Sequence, residues 1–398
     1  MIERRVSLSL SHRVFFTEGV FESAQTLLRD VLCPVETEAT RVRRVLVVLE
    51  KALASAQTGL EAAVRAWFAA QDGLLVLADL MIIPGGEPCK NDWPQVEHLW
   101  SAINNAGIDR HSYVIAIGGG AILDLVGFAS ATAHRGIRIV RMPSTTLSQG
   151  DGGVGVKNGV NHFGKKNWVG TFSVPFAVIN DFSFLKSLPP ADRRDGVIEA
   201  IKVALIRDAA FFREMESEAA ALARLEPAIL HRVIRRSAEL HMQHICTGGD
   251  PFEFGSARPL DFGHWVAHKL EQLSAFRVTH GRAVAIGMAA DLQYACLSGL
   301  LTVAHRDRIL HLIEGVGFVL WEEELLAILP DGQPAVLRGL EEFREHLGGE
   351  LCITLVTAPG EAREVHQMND ALVLQSLEWL RDRALSKAAA SVPVPLIK

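Results

Sequence analysis

Glu199 stands midway along DRRDGVIEAIKVALIRD (192–208), with Lys202 one turn further on. In DFGHWVAH, His264 and His268 are four positions apart and so share a helix face. His280 opens the next helical run in Thr279-His280-Gly281-Arg282. One carboxylate and two neutral imidazoles would hold Zn²⁺ and leave coordination positions open, as in a catalytic rather than a closed zinc site. Each residue also has a plainer reading. The His pair is common helix decoration, Glu199 can be the i,i+3 ion-pair partner of Lys202, and His280 can be a turn residue.

Three further stretches carry chemistry. Gly118-Gly119-Gly120-Ala121-Ile122-Leu123-Asp124 follows a strand run and opens a helix. Glycines there let backbone approach a phosphate, whose charge the helix N-terminus favours. A tight structural turn would look the same, with Asp124 as a first-turn carboxylate. Pro84-Gly85-Gly86-Glu87-Pro88-Cys89-Lys90 presents a carboxylate and an ammonium three residues apart. Taken alone, it reads first as a surface turn with a solvated ion pair. Residues 151–167 place Asp151, Lys157, Lys165 and Lys166 among glycines and asparagines. That composition suits a flexible surface loop or a cradle for a phosphorylated small molecule.

The elements that must position these residues fall into two textures. Residues 42–50, 74–84, 112–120 and 137–143 are apolar, β-branched runs, and 60–70 and 121–133 between them have helical spacing. Alternation of this kind predicts a parallel α/β sheet. Beyond Pro189-Pro190 the pattern predicts helices over 192–208, 215–245, 259–275, 282–297, 303–316 and 369–386, with one strand run at LCITLV (351–356). We therefore expect a domain of residues 1–189 and a mostly helical domain of residues 190–398. Val6, Leu8 and Leu10 alternate with polar residues, a strand period rather than a signal-peptide core.

Composition narrows the classes. The chain has 398 residues, 49% of them hydrophobic and 22% charged, enough to bury a sizeable core. Its net charge of −6, with no long basic run, argues against nucleic acid or an anionic membrane as main partner. No uncharged apolar run approaches the length of a membrane span. Five cysteines with no C-x-x-C argue against a disulfide scaffold or a Cys-built zinc site and fit a reducing cytoplasm.

Taken together, the motifs resemble those of the dehydroquinate synthase-like sugar phosphate cyclases, over nearly the whole chain and most densely over 84–290. GGGAILDLVGFASATAHRG, PSTTLSQGDGGVGVKNGVNHFGKKNWVG, LPPADRRDGVIEAIKVALIRD, DFGHWVAH and THGRAVAIGM follow that family's motifs in order. The resemblance implies a Rossmann-like NAD-binding domain followed by a helical metal-binding domain. It implies NAD⁺ that is recycled, and Zn²⁺ (or Co²⁺) held by Glu199, His264 and His280. Glu87, Lys90, Gly119, Gly120, Asp124, Thr145 and Lys166 align with NAD contacts. Asp151, Lys157, Lys202 and His268 align with catalytic positions. Arg135 and Asn167 align with substrate contacts, Arg135 reaching the partner subunit, so a homodimer is implied. The chemistry implied is transient oxidation, phosphate elimination, reduction and intramolecular aldol closure.

The departures bear on the substrate. His241 stands where dehydroquinate-forming members have lysine, Ala257 where they have arginine (with Arg258 adjacent), and Asp261 where they have asparagine. Arg282 replaces a glutamate, and EEFREHLGG (341–349) replaces paired lysines. Removing cations from a carboxylate pocket while adding a carboxylate points to a neutral group there. The changes resemble the C7-cyclitol branch, which implies sedoheptulose 7-phosphate as substrate and a valiolone epimer such as 2-epi-valiolone as product. Dehydroquinate synthase itself, an iron-type polyol dehydrogenase and a non-enzymatic ligand-binding descendant are the rival readings; the last would not need Glu199, His264, His280, Asp151 and Lys202 together.

Overall fold

A computed structural model describes residues 1–398 except 5–7, 34–41, 72, 249, 251, 253–258 and 391–398. Two compact units emerge, residues 1–189 and 190–398.

The first unit is built on a six-stranded sheet. Its strands are β1 (Val14–Thr17), β2 (Arg43–Glu50), β3 (Leu75–Ile83), β4 (Tyr113–Gly118), β5 (Arg138–Pro143) and, after a separate hairpin of β6 (Lys157–His162) and β7 (Lys165–Phe172), β8 (Ala177–Asp181). The order is β1-β8-β5-β4-β2-β3, and every neighbouring pair is parallel. Helices α1 (Leu27–Leu32), α2 (Lys51–Ala56), α3 (Leu60–Ala69), α4 (Trp93–Asn105) and α5 (Gly120–Thr132) complete the unit. Buried residues alternate along the strands. Val45, Val47, Leu49, Ile115 and Ile117 share one core with Val64, Trp67 and Phe68 of α3. Leu46, Val48, Val114 and Ala116 share the opposite core with residues of α4 and α5. Strands buried on both faces explain the unbroken apolar runs in the sequence.

The chain leaves β2 for β3 on one side and returns to place β4 on the other. The carboxyl ends of β2 and β4 therefore flank the topological switch point, where open α/β sheets bind ligands.

The second unit contains α6 (Pro190–Arg207), α7 (Ala209–Ser217), α8 (Ala219–Ala223), α9 (Pro227–Thr247), α10 (His264–Leu273), α11 (His280–Leu297), α12 (Val303–Val316), α13 (Ala335–His346) and α14 (Asp370–Ala390). A hairpin of β9 (Ile353–Ala358) and β10 (Glu361–Val365) joins them. Helix α11 is buried almost from end to end.

Four expectations need correction. Leu8 and Leu10 are exposed and outside any strand, and the first strand begins at Val14; Val6 lies outside the described residues. The helical stretch 215–245 is three helices. Leu225 is in the left-handed region (φ 55°), and Glu226 is held extended before Pro227, which opens α9. The stretch 259–275 is likewise divided, because Gly263 (φ 79°) stops one short turn before His264 starts α10. Of residues 151–167, read as either a flexible surface loop or a phosphate cradle, 157–162 and 165–167 belong to the antiparallel hairpin β6–β7 rather than to a structureless loop.

Candidate active site

Three helices bring the metal-ligand candidates together. Glu199 and Lys202 project from α6, His264 and His268 from the first turns of α10, and His280 from the start of α11. Glycines allow the approach. A Cβ on Gly287 of α11 would overlap the Gly263 carbonyl oxygen, and one on Gly281 would stand 2.6 Å from Asp195 Cβ of α6. Both α6 and the start of α10 can therefore press against α11 backbone.

One ligand atom from each of Glu199, His264 and His280 lies within 4.8 Å of the others. Glu199 and His264 are buried. Glu199 Oε1 has no hydrogen-bond donor, and Oε2 faces the Lys202 ammonium in an ion pair. Burial alone would raise the Glu199 pKa, but Lys202 and His280 outweigh it and hold the carboxyl ionised. His264 is kept neutral by burial and by Lys202. Its Nδ1 lies 3.2 Å from the Phe262 carbonyl oxygen. A proton on Nδ1 there leaves the Nε2 lone pair for a metal. His280 lies 3.6 Å from Glu199 through Nε2 and 3.5 Å from Glu271 through Nδ1. Desolvation opposes its charge, but the two carboxylates dominate and raise its pKa. A carboxylate behind a ligating imidazole is the usual outer support of a metal site. The His268 ring is 5.5 Å from that of His264 and 6.2 Å from that of His280. Asp261 acts electrostatically on His264. One carboxylate and two imidazoles with an orphaned buried oxygen fit a divalent ion such as Zn²⁺ or Co²⁺ and leave positions open.

In the first unit, the glycine turn lies at the switch point. Gly119 caps α5, and its N–H donates to Glu50 Oε2 at the end of β2 (2.7 Å). A Cβ on Gly120 would meet nothing within 4 Å, so the helix N-terminus opens onto free space. Thr145 lies beside it, 3.4 Å from a Cβ built on Gly119, and exchanges hydrogen bonds with Ser148. Lys90 is not the solvated cation of a surface turn: it is 3% exposed and pairs with Asp124 (2.7 Å). It also donates to Asn167 Oδ1 and lies 3.9 Å from Glu87. Asn161 ties this group together, donating to Glu87 (2.8 Å) and accepting from the Asn167 N–H (2.8 Å).

Asn167, a substrate contact by resemblance, thus sits among residues aligned with NAD contacts. Lys166 is its half-buried neighbour in β7. Asp151 lies in the π-helical turn Ser148–Gly152, and Lys157 begins β6 with its side chain exposed. Arg135 is exposed on the turn after α5, where His134 and Arg135 are both left-handed (φ 50° and 61°). His241 is half-buried on α9. Ala257 and Arg258 lie outside the described residues. Arg282 is ion-paired with Glu322. The sequence reading missed Glu50, Glu271, Asp291 and Arg141. Glu50 had a legible signal, a carboxylate closing a buried parallel strand. Glu271 and Asp291 sit on helices where one acidic residue looks like any other.

Residues 80–195 match the 3-dehydroquinate synthase N-terminal family, and residues 196–330 match the 3-dehydroquinate synthase C-terminal family. The 3-dehydroquinate synthase of Symbiobacterium thermophilum is 34% identical over 304 residues, 75% of this chain and 82% of that protein. The 3-dehydroquinate synthase of Pseudomonas entomophila is 35% identical over 286 residues, 71% of this chain and 75% of that protein. The 2-epi-5-epi-valiolone synthase of Streptomyces hygroscopicus subsp. jinggangensis, solved with NAD⁺ and Zn²⁺ bound, superposes with a TM-score of 0.81 at 26% identity. That match covers 96% of this chain and all of the other. With both halves of the family matched in order over a fold of the same kind, the chain belongs to the dehydroquinate synthase-like sugar phosphate cyclases.

Proposed function

We propose that the chain is an NAD- and metal-dependent cyclase that converts sedoheptulose 7-phosphate to a C7 cyclitol of the valiolone type with release of phosphate. The observation that carries the choice of substrate is Asp261, a carboxylate close enough to the buried His264 to act on its charge. An acid substrate would bring a second carboxylate toward it, which a poorly solvated site tolerates only at high cost. The whole-chain likeness to a 2-epi-5-epi-valiolone synthase supports the same choice.

In this reading residues 1–189 bind NAD⁺ and residues 190–398 bind the metal. The open N-terminus of α5 would hold the NAD⁺ pyrophosphate, and the Glu50 carboxylate at the end of β2 would accept from a ribose hydroxyl. Glu199, His264 and His280 hold Zn²⁺ or Co²⁺. When bound, the ion supplies Lewis acidity and NAD⁺ supplies a reversible hydride acceptor. Lys202 holds Glu199 ionised, and Glu271 orients His280. Within residues 1–189, Lys157 and Asn167 are substrate-phosphate contacts and Arg135 serves the partner's site in a homodimer; within residues 190–398, His268 is the candidate phosphate contact.

The second reading is 3-dehydroquinate synthase, which the two bacterial relatives at 34% and 35% identity favour. Side-by-side assays of sedoheptulose 7-phosphate and the heptulosonate phosphate acid, with NAD⁺ and Zn²⁺ or Co²⁺, separate the two. Phosphate release from the neutral ketose, with a valiolone-type product identified by NMR, is expected. Faster release from the acid would establish the second reading instead.

A further inference from the structure

We propose that Arg141 is a positioning residue that fixes the path of the loop carrying Asp151 and Lys157. It lies on β5 and is wholly buried. Nη1 donates to the carbonyl oxygens of Gly153 (3.2 Å) and Gly155 (2.7 Å). Nη2 donates to the Lys157 carbonyl (2.9 Å) and to Asn158 Oδ1 (2.6 Å). All four acceptors are uncharged. The carboxylate acting on Arg141 from a distance, Asp124, is itself held by Lys90. Burial lowers the Arg141 pKa to about 10, which leaves it charged at neutral pH.

Three alternate carbonyls thus curl around one planar fork. Those between them are also occupied. Val154 O lies 2.6 Å from His12 Nε2, and Val156 O accepts from the Ser173 N–H (2.8 Å). Gly127 makes room, because a Cβ there would overlap Asn158 Oδ1. Glycines at 152, 153 and 155 lend this loop little intrinsic order. Its own backbone bonds fix only its start, where the Val154 and Gly155 N–H groups donate to the Asp151 carbonyl, and the carbonyls from 153 to 157 are held by donors from outside. Lysine cannot replace the fork, since its donors radiate from one atom.

The proposal rests on the reading that Asp151 and Lys157 handle the substrate. Full-length Arg141→Lys and Arg141→Gln test it. Amide hydrogen exchange over 151–158 should quicken by roughly 10-fold or more, with exchange in β2, β4 and residues 190–398 unchanged. NAD⁺ affinity by titration should stay at the parental value. With sedoheptulose 7-phosphate, kcat should fall on the order of 100-fold, the effect of about 1 Å of misplacement, with KM moving far less. Arg141→Lys should retain more activity than Arg141→Gln. Unchanged loop exchange, uniform acceleration across residues 1–189, or failure of both variants to fold would overturn the proposal. The exchange and NAD⁺ measurements need no substrate, so an inactive parent would count against the cyclase reading alone.

Discussion

At the residue scale, the site is defined by groups that burial would penalise if they stood alone. Glu199 keeps its charge against desolvation because Lys202 and His280 face it, and a metal would satisfy the oxygen that has no donor. His264→Ala should therefore lower Zn²⁺ affinity by at least about 10-fold, since even outer-support changes cost that much. Metal content by elemental analysis equal to the parent would refute this ligand set. Asp291 poses a different question. It accepts from Trp265 Nε1 (2.9 Å) and from the Gly263 N–H (3.0 Å), yet burial raises its pKa to about 7. Between about pH 4 and 7 the folded protein holds a proton that the unfolded chain has released. Stability should fall as pH rises through that window, by at most about 1.4 kcal/mol per pH unit from this group. Denaturant unfolding of Asp291→Asn across the same range should show a flatter slope.

At the element scale, glycines decide how closely helices meet. Gly263 is left-handed and starts α10 at His264, while Gly287 lets the Gly263 carbonyl rest on α11. An Ala at 287 must push the two apart. Gly287→Ala should cost about 1–3 kcal/mol of stability, the range for overpacking. It should also weaken metal binding, because His264 moves with Gly263. Thermal unfolding with and without Zn²⁺ checks both parts, and a variant with parental metal affinity would uncouple the helix contact from the site. In the sheet, the crossover between β2 and β4 sets Glu50 against Gly119, sixty-nine positions along the chain.

At the scale of the whole molecule, the cyclase reading predicts a closed redox cycle. Phosphate should appear without accumulation of NADH, which absorbance near ~340 nm would report. NADH growing in step with product would mean a dehydrogenase. The reading also predicts a homodimer in which Arg135 completes the partner's phosphate site. Two consecutive left-handed residues hold that arginine on an exposed turn, a costly conformation for non-glycine residues. Arg135→Ala should lower affinity for the phosphorylated substrate while leaving the dimer intact in sedimentation. A fully active monomer would remove the interface from the mechanism.

The sequence by itself determined the sheet strands β2 to β5 as apolar runs; β2, β4 and β5 must be written so because they are buried on both faces, whereas the edge strand β3 leaves Val76 and Ile82 exposed. It determined the helical texture after Pro190, and it offered Glu199, His264, His268 and His280 as a constellation from which only the family resemblance picked Glu199, His264 and His280. Residue order could not decide where the long helical stretches break, since Leu225 and Gly263 act through backbone angles rather than through periodicity. Burial was equally hidden. Lys90 read as a surface cation, but it lies inside because Asp124 and Asn167, distant in sequence, converge on it. Glu50, Glu271, Asp291 and Arg141 gained their meaning only when partners between 9 and 69 positions away came within hydrogen-bond or ion-pair distance. Pairing between distant positions is the product of packing, and a local pattern of residues carries no record of it.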